Sequence, residues 1–207
     1  MHKHIDYYFI SISPFAYLGH DAIVAVAKKQ GVTLQPKPID LGAVWQQSGS
    51  VPLGQRSPVR QRYRLVEMER VGKWRGLPIN LQPAHFPTNP TLADLSVAAL
   101  VSKGENALAV MGDLFRAVWV EDLDVADQTV VASILTRHGF DADDILEMAN
   151  SDVCAQIRLR NTQDAIEADV TGAPAYVVSG EVFWGQDRIE LVDDMITTGR
   201  TAIIPSK

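Results

Sequence analysis

Strand-type patterning is confined to the two ends of this chain. IDYYFIS (residues 5–11) mixes β-branched and aromatic residues over a strand's length, and VTLQPKPI (residues 32–39) reads as a second strand. Pro36 and Pro38 lack a ladder donor and place that second strand near a sheet edge. Close to the other end, PAYVVSGEVFWG holds two apolar runs, residues 175–178 and 182–184, separated by Ser179-Gly180, which is a hairpin signal. Everything from Asp40 to about Asp169 is helical in period. The sheet therefore has to be assembled from both termini, around a long helical insertion.

The helices have visible punctuation. Residues 14–30 place Phe15, Leu18, Ala22 and Val26 at helical spacing, finish in Lys28 and Lys29, and meet Gly31 as a stop. Residues 43–58, rich in Gly, Pro and Ser, read as a loop before a helix over 59–75, and 76–90 as another Pro-rich connection. Further helices are expected over 91–103, 105–120, 127–138, 141–149 and 151–167. A last one is expected over 187–198, with Asp187 and Glu190 at capping-box spacing. The order is β-α-β, a helical block, then β-β-α. This is an α/β, thioredoxin-like arrangement with an all-helical insertion: residues 1–40 and 170–207 form one domain and 41–169 the inserted one.

Composition narrows the function. The 207 residues are 46% hydrophobic, and 19 Lys and Arg against 25 Asp and Glu give a net charge of −6, so there is no basic footprint for nucleic acid. No apolar run approaches the ~20 residues of a membrane span, and MHKHIDYYF lacks the small-residue cleavage site of a secretory signal. A cytoplasmic protein is expected. Cys154 is the only cysteine, which excludes an internal disulfide, a CxxC pair and a cysteine-built zinc site. Cys154 itself reads as a packed residue. His20, His85 and His138 have no metal-ligand spacing, and no metal is expected.

In a thioredoxin-like layout the reactive group sits at the start of the first helix, opposite a proline that opens the third strand. Those places are Ser13-Pro14-Phe15-Ala16 and Gly172-Ala173-Pro174. Read locally, Ser13 is an N-cap with Pro14 at the first helical position. SPFAYL, FPTN (residues 86–89), the stretch around Ala117-Val118-Trp119, GAPAYVV and FWGQDR, in this order, resemble the 2-hydroxychromene-2-carboxylate isomerase family. That family is a branch of the thioredoxin-like proteins related to kappa-class glutathione transferases and the DsbA group.

The resemblance implies an enzyme that binds glutathione and keeps its sulfur as a thiolate through a hydrogen bond from Ser13. It implies that Pro174 is cis, that the Ala173 backbone pairs with the glutathione peptide, and that Gln186 and Asp187 meet its γ-glutamyl end. The implied reaction is isomerisation of 2-hydroxychromene-2-carboxylate to trans-o-hydroxybenzylidenepyruvate, in aromatic-compound degradation, by a cytoplasmic homodimer.

A small aromatic carboxylate would lie between Ser13 and the helical block, with Arg60, Arg62 and Asn89 as contacts. Relatives commonly carry lysine where this chain has Arg60, and helix-start charges facing solvent account for Arg60 and Arg62 equally well. The strand-one aspartate common in the family is Ile10 here, and an Arg-Trp-Ala stretch reads Arg70-Val71-Gly72. Two other readings stay open: a kappa-like glutathione transferase with another electrophile, and a redox-inactive thioredoxin-like binding module.

Overall fold

A computed structural model describes residues 4–205, so the outermost ends of the 1–40 and 170–207 segments lie outside the described residues. Strand β1 (His4–Phe9) leads into α1 (Pro14–Gln30) and β2 (Thr33–Pro38). After the insertion come β3 (Ala175–Val178) and β4 (Glu181–Trp184). The sheet order is β2-β1-β3-β4, with β1 parallel to β2 and antiparallel to β3. Strand β2 is an edge, as its prolines require: Tyr7 stands opposite Pro36 and Phe9 opposite Pro38.

The inserted helices are α2 (Leu41–Ser48), α3 (Pro58–Arg75), α4 (Thr91–Ser102), α5 (Leu108–Trp119), α6 (Gln128–Arg137), α7 (Ala142–Ala149) and α8 (Asp152–Glu167). Helix α9 (Ile189–Thr198) follows the hairpin. Two of these elements correct the sequence reading. Residues 43–48, expected as loop, belong to α2: Asp40 caps it by accepting from Gly42 and Ala43, Val44 is buried, and Gly49 ends it at φ 71°. Gly49 is thus a helix stop, and Leu53–Gln55 forms one 3-10 turn within the remaining loop.

The second correction concerns Asp187, which does not cap α9. Gly185 at φ 104° opens a 3-10 turn, Gln186–Arg188, closed by Arg188 N–H donating to the Gly185 carbonyl at 3.1 Å. The regular helix starts only at Ile189, and Asp187 pairs with Arg188 at 2.7 Å instead.

Alternation along β1 divides the core. Ile5, Tyr7 and Phe9 face α1, α5 and most of the inserted helices, where Leu18, Ile23, Met111 and Phe115 are fully buried. Tyr8 and Ile10 face the other way, onto Val44, Ala165, Val170 and Val177. The larger cluster contains residues from both ends of the chain and from the insertion, so they share one core.

On α1, Gly19 allows the closest approach in this arrangement. A Cβ there would lie 2.8 Å from Gln186 Cβ, 3.0 Å from Tyr176 Oη and 3.2 Å from Ile189 Cδ1. Gly19→Ala should therefore destabilise the protein by about 1–3 kcal/mol in denaturant titrations, against the helix preference of alanine, because overpacking outweighs propensity. An unchanged midpoint would show that the 186–189 segment gives way freely.

Candidate active site

The turn between β1 and α1 positions Ser13. Its N–H donates to the Ile10 carbonyl at 3.1 Å, and its φ and ψ of −80° and 119° are those of an N-cap. Ser13 Oγ accepts from Ala16 N–H at 3.2 Å, with Pro14 at the first helical position. The hydroxyl proton donates to the Ala173 carbonyl at 3.3 Å, bridging 160 residues of sequence. The Ala173–Pro174 peptide is cis, and so is Phe86–Pro87, which the sequence reading did not anticipate. Ser13 is 5% exposed, at the positive end of a 17-residue helix.

Around the proline turn, Gly185 N–H donates to the Pro174 carbonyl at 2.9 Å and fixes the start of the 186–188 turn. The Trp184 indole lies across Gly172, where a Cβ would meet Nε1 at 2.8 Å, while Trp184 itself stays half exposed. Thr171 Oγ1 is buried and has no partner among the described residues.

Gln186 is buried and clamped. Arg75 Nε and Nη2 donate to its Oε1 at 3.1 and 2.9 Å, and Nη2 also donates to its backbone carbonyl at 3.1 Å. Because guanidinium only donates, the amide oxygen has to face Arg75, and the amide NH₂ is left as the group with donors to offer. Asp187 stands beside it, exposed. Ser13, Ala173 and Pro174 are thus brought together, and Gln186 and Asp187 follow from the Pro174–Gly185 bond.

Arg60 and Arg62 do not share a face of α3. Two residues are about 200° of helical turn, whereas Arg64 lies one turn above Arg60. Arg60 and Arg62 are both exposed. Arg64 is half-buried, 5.3 Å from the Phe86 ring centroid and 5.8 Å from that of Trp119. Burial, helped by the nearby Arg56 charge, pushes its guanidinium down to about 10, and no carboxylate pairs with it among the described residues. Asn89 is exposed, and its Oδ1 accepts from Thr91 N–H at 3.0 Å where the chain enters α4.

The sequence reading missed Arg64, Arg75 and Asp94. Asp94 is fully buried, and its Oδ1 accepts from both the N–H and the hydroxyl of Ser11, the N–H at 2.7 Å. Two of these had signals: Arg64 lies four residues after Arg60, and Asp94 is the one charge in the apolar run of α4. Arg75 had none, since its partner is 111 residues away. Among the described residues no cluster of ligands for a metal ion is found, and no helix is long and apolar enough to cross a membrane.

The chain has known relatives. A curated relative, the 2-hydroxychromene-2-carboxylate isomerase of Sphingobium xenophagum, is 28% identical over 95% of this chain and 99% of its own. Glutathione S-transferase kappa 1 of Caenorhabditis elegans is 23% identical over 93% of this chain and 90% of its own. A solved structure of 2-hydroxychromene-2-carboxylate isomerase superposes with a TM-score of 0.79 at 26% identity, covering 94% of this chain and 95% of that one. The family model of the DSBA-like thioredoxin domain matches residues 4–197, nearly the whole chain, and includes both the helix start and the proline turn that meet at Ser13. The chain belongs to the DSBA-like thioredoxin domain family.

Proposed function

We propose that this protein is a glutathione-dependent isomerase that converts 2-hydroxychromene-2-carboxylate, or a closely similar aromatic acid, to its trans-o-hydroxybenzylidenepyruvate form. The observation that carries this reading is Ser13 Oγ, held between the α1 N-terminus and the Ala173 carbonyl. The similarity to the isomerase and to the kappa-class glutathione transferase supports it.

The residues present fit a thiol peptide with charged ends. Ala173 offers backbone beside Ser13, Gln186 offers amide donors to a carboxylate, and Asp187 offers a charge to an ammonium group. Gly172, lacking a Cβ, lets the Trp184 indole lie against this turn. Bound glutathione would supply a thiolate for reversible addition to the conjugated double bond, with the ring C–O bond opening, the former double bond rotating while single, and the thiolate leaving as the double bond reforms.

Ser13 has one proton to give, and its present bond to Ala173 is long. Turning that proton towards sulfur frees the Ala173 carbonyl to accept from a peptide N–H. A free thiol has a pKa near ~8.5, and a shift of ~2 units needs about 2.7 kcal/mol, within reach of a charge-assisted hydrogen bond and a helix N-terminus. Serine cannot form the mixed disulfide that cysteine would form at this position. On the other side, Arg60 and Arg64 hold the substrate carboxylate beside the half-buried Phe86 ring, which packs on the fully buried Trp119 with centroids 4.9 Å apart.

A second reading, a transferase joining the same thiol to another electrophile, is favoured by Ile10 and Arg60, where the chain departs from the isomerase pattern. Product analysis separates the two, because an isomerase returns glutathione unchanged and a transferase consumes it. A glutathione titration separates both from a redox-inactive binding module.

Thiolate absorbance followed against pH in the glutathione complex should show the thiol pKa rising by about 1–2 units in Ser13→Ala. Equal values in both proteins would remove Ser13 from the mechanism. Arg64→Gln should raise KM for an anionic aromatic substrate about tenfold while leaving the glutathione Kd within about twofold. An equal loss with a neutral electrophile would assign the effect to packing on Phe86 and Trp119. Asp187→Asn should leave the melting temperature nearly unchanged, since an exposed pair with Arg188 contributes little, and should weaken glutathione about tenfold or somewhat more. An unchanged Kd would take Asp187 out of the binding site.

A further inference from the structure

Ser11 lies two residues before Ser13, on the turn that aims the Ser13 hydroxyl. Both are buried, yet Ser11 takes no part in the chemistry proposed above. Its N–H and its hydroxyl converge on one oxygen, Asp94 Oδ1, across 83 residues of sequence. The other oxygen, Oδ2, is buried without a partner among the described residues. A buried carboxyl with an orphaned oxygen is costly. Replacing both partners by apolar groups can be neutral or stabilising, so stability alone does not account for the pair.

We propose that Asp94 is a positioning residue for Ser13, holding the residue 10–13 turn through Ser11 so that the Ser13 hydroxyl stays at the α1 N-terminus. The proposal rests on the reading of Ser13 as the thiolate donor. Two links connect them: Ser11 is fixed by Asp94, and Ser13 N–H is fixed by the Ile10 carbonyl. The turn is thereby held on both sides of Ile12.

The clamp also titrates. Burial pushes the Asp94 carboxyl from 3.8 up to about 7, while the two Ser11 bonds and the distant Arg158 charge pull it back. Arg158, on α8, donates to the Ile39 carbonyl at 3.3 Å. Of the charged groups on the other elements packed against α4, Asp143 and Glu147 of α7 are exposed to solvent and Arg116 of α5 lies 3.8 Å from Glu121. Lys37 on β2 pairs with Asp6 and Asp164, Asp113 on α5 with Arg137 of α6 and His138, and Asp144 on α7 with Lys103. An acid raised on folding stabilises the native state most below its unfolded pKa, and that contribution is lost as pH rises to the folded value. Relative to Asp94→Asn, the wild-type melting temperature should therefore fall between pH of about 4 and about 7.

Function is tested with Asp94→Asn, which keeps an acceptor for Ser11 without charge, and Asp94→Ala, which removes the clamp. Exchange of the Ala16 amide hydrogen reports directly on Ser13 Oγ, its acceptor. It should be unchanged in Asp94→Asn and at least about tenfold faster in Asp94→Ala. In the glutathione complex the thiol pKa should be unchanged or lower in Asp94→Asn, where a like charge is gone. It should rise by about one unit in Asp94→Ala, a tenfold smaller thiolate fraction at neutral pH.

Wild-type Ala16 exchange in Asp94→Ala overturns the proposal. If Asp94→Ala does not fold, Ser11→Ala removes only the hydroxyl arm and should shift both readouts in the same direction by less; no shift overturns it equally. Faster Ala16 exchange in a protein whose thiol pKa ignores Ser13→Ala would leave the clamp standing and reject the function.

Discussion

The antiparallel pairing of β1 with β3 is the constraint on which the site depends. Asp6 stands opposite Val177, Tyr7 opposite Tyr176 and Tyr8 opposite Ala175, which brings the start of α1 to the Ala173–Pro174 turn. Neither half of the sheet buries its apolar faces alone. The chain therefore closes a loop of more than a hundred residues before the site exists, at an entropic cost that grows only slowly with loop length. Helical packing within the insertion offsets it, since α4, α5 and α6 contribute to the same core as β1 and α1.

Around that pairing, three polar side chains hold backbone turns. Asp94 holds the turn before α1, Ser13 ties α1 to the proline turn, and Arg75 holds the 186–188 turn by both the side chain and the carbonyl of Gln186. Each turn is a place where strand or helix hydrogen bonding stops and backbone groups need another partner. The same side chains that satisfy the backbone therefore fix the geometry of the site. Gly19 completes the arrangement by letting Gln186 lie against α1.

Much of the fold was legible because it is written in local signals. Pro14 to Gln30 is a helix at the expected bounds, since Ser13, Pro14 and Gly31 punctuate it chemically, and the β3–β4 hairpin follows from Ser179-Gly180. The failures were also local. Asp40 and Gly49 delimit α2 as an N-cap and a stop, but the Gly and Pro residues that follow hid the short helix. Asp187 at capping-box spacing was overruled by Gly185, whose positive φ starts a tighter turn first. The positions of Ser13 and Pro174 in the site were legible only through motif order. Arg75 and the partner of Asp94 depend on contacts of 111 and 83 residues' separation, about which local pattern says nothing.

The cations of the α3 region show why arginine in place of lysine changes the character of this side of the site. Burial first, and then the neighbouring like charge, depresses both Arg56 and Arg64: Arg60 acts on Arg56, and Arg56 on Arg64. A lysine held half-buried beside like charges would shed its proton readily, whereas a guanidinium keeps its charge even when pushed to about 10. Ring contacts accompany it: Arg56 lies 5.5 Å from the Trp45 centroid and donates to the Val51 carbonyl, and Arg64 lies over the Phe86 and Trp119 rings. A guanidinium stacked on a ring has its face covered and its N–H edge in the plane. On the proposed reading of this region as the substrate side, a fork held beside these rings would suit a planar anion, with the placement of the rings as well as the sign of the charge setting what fits.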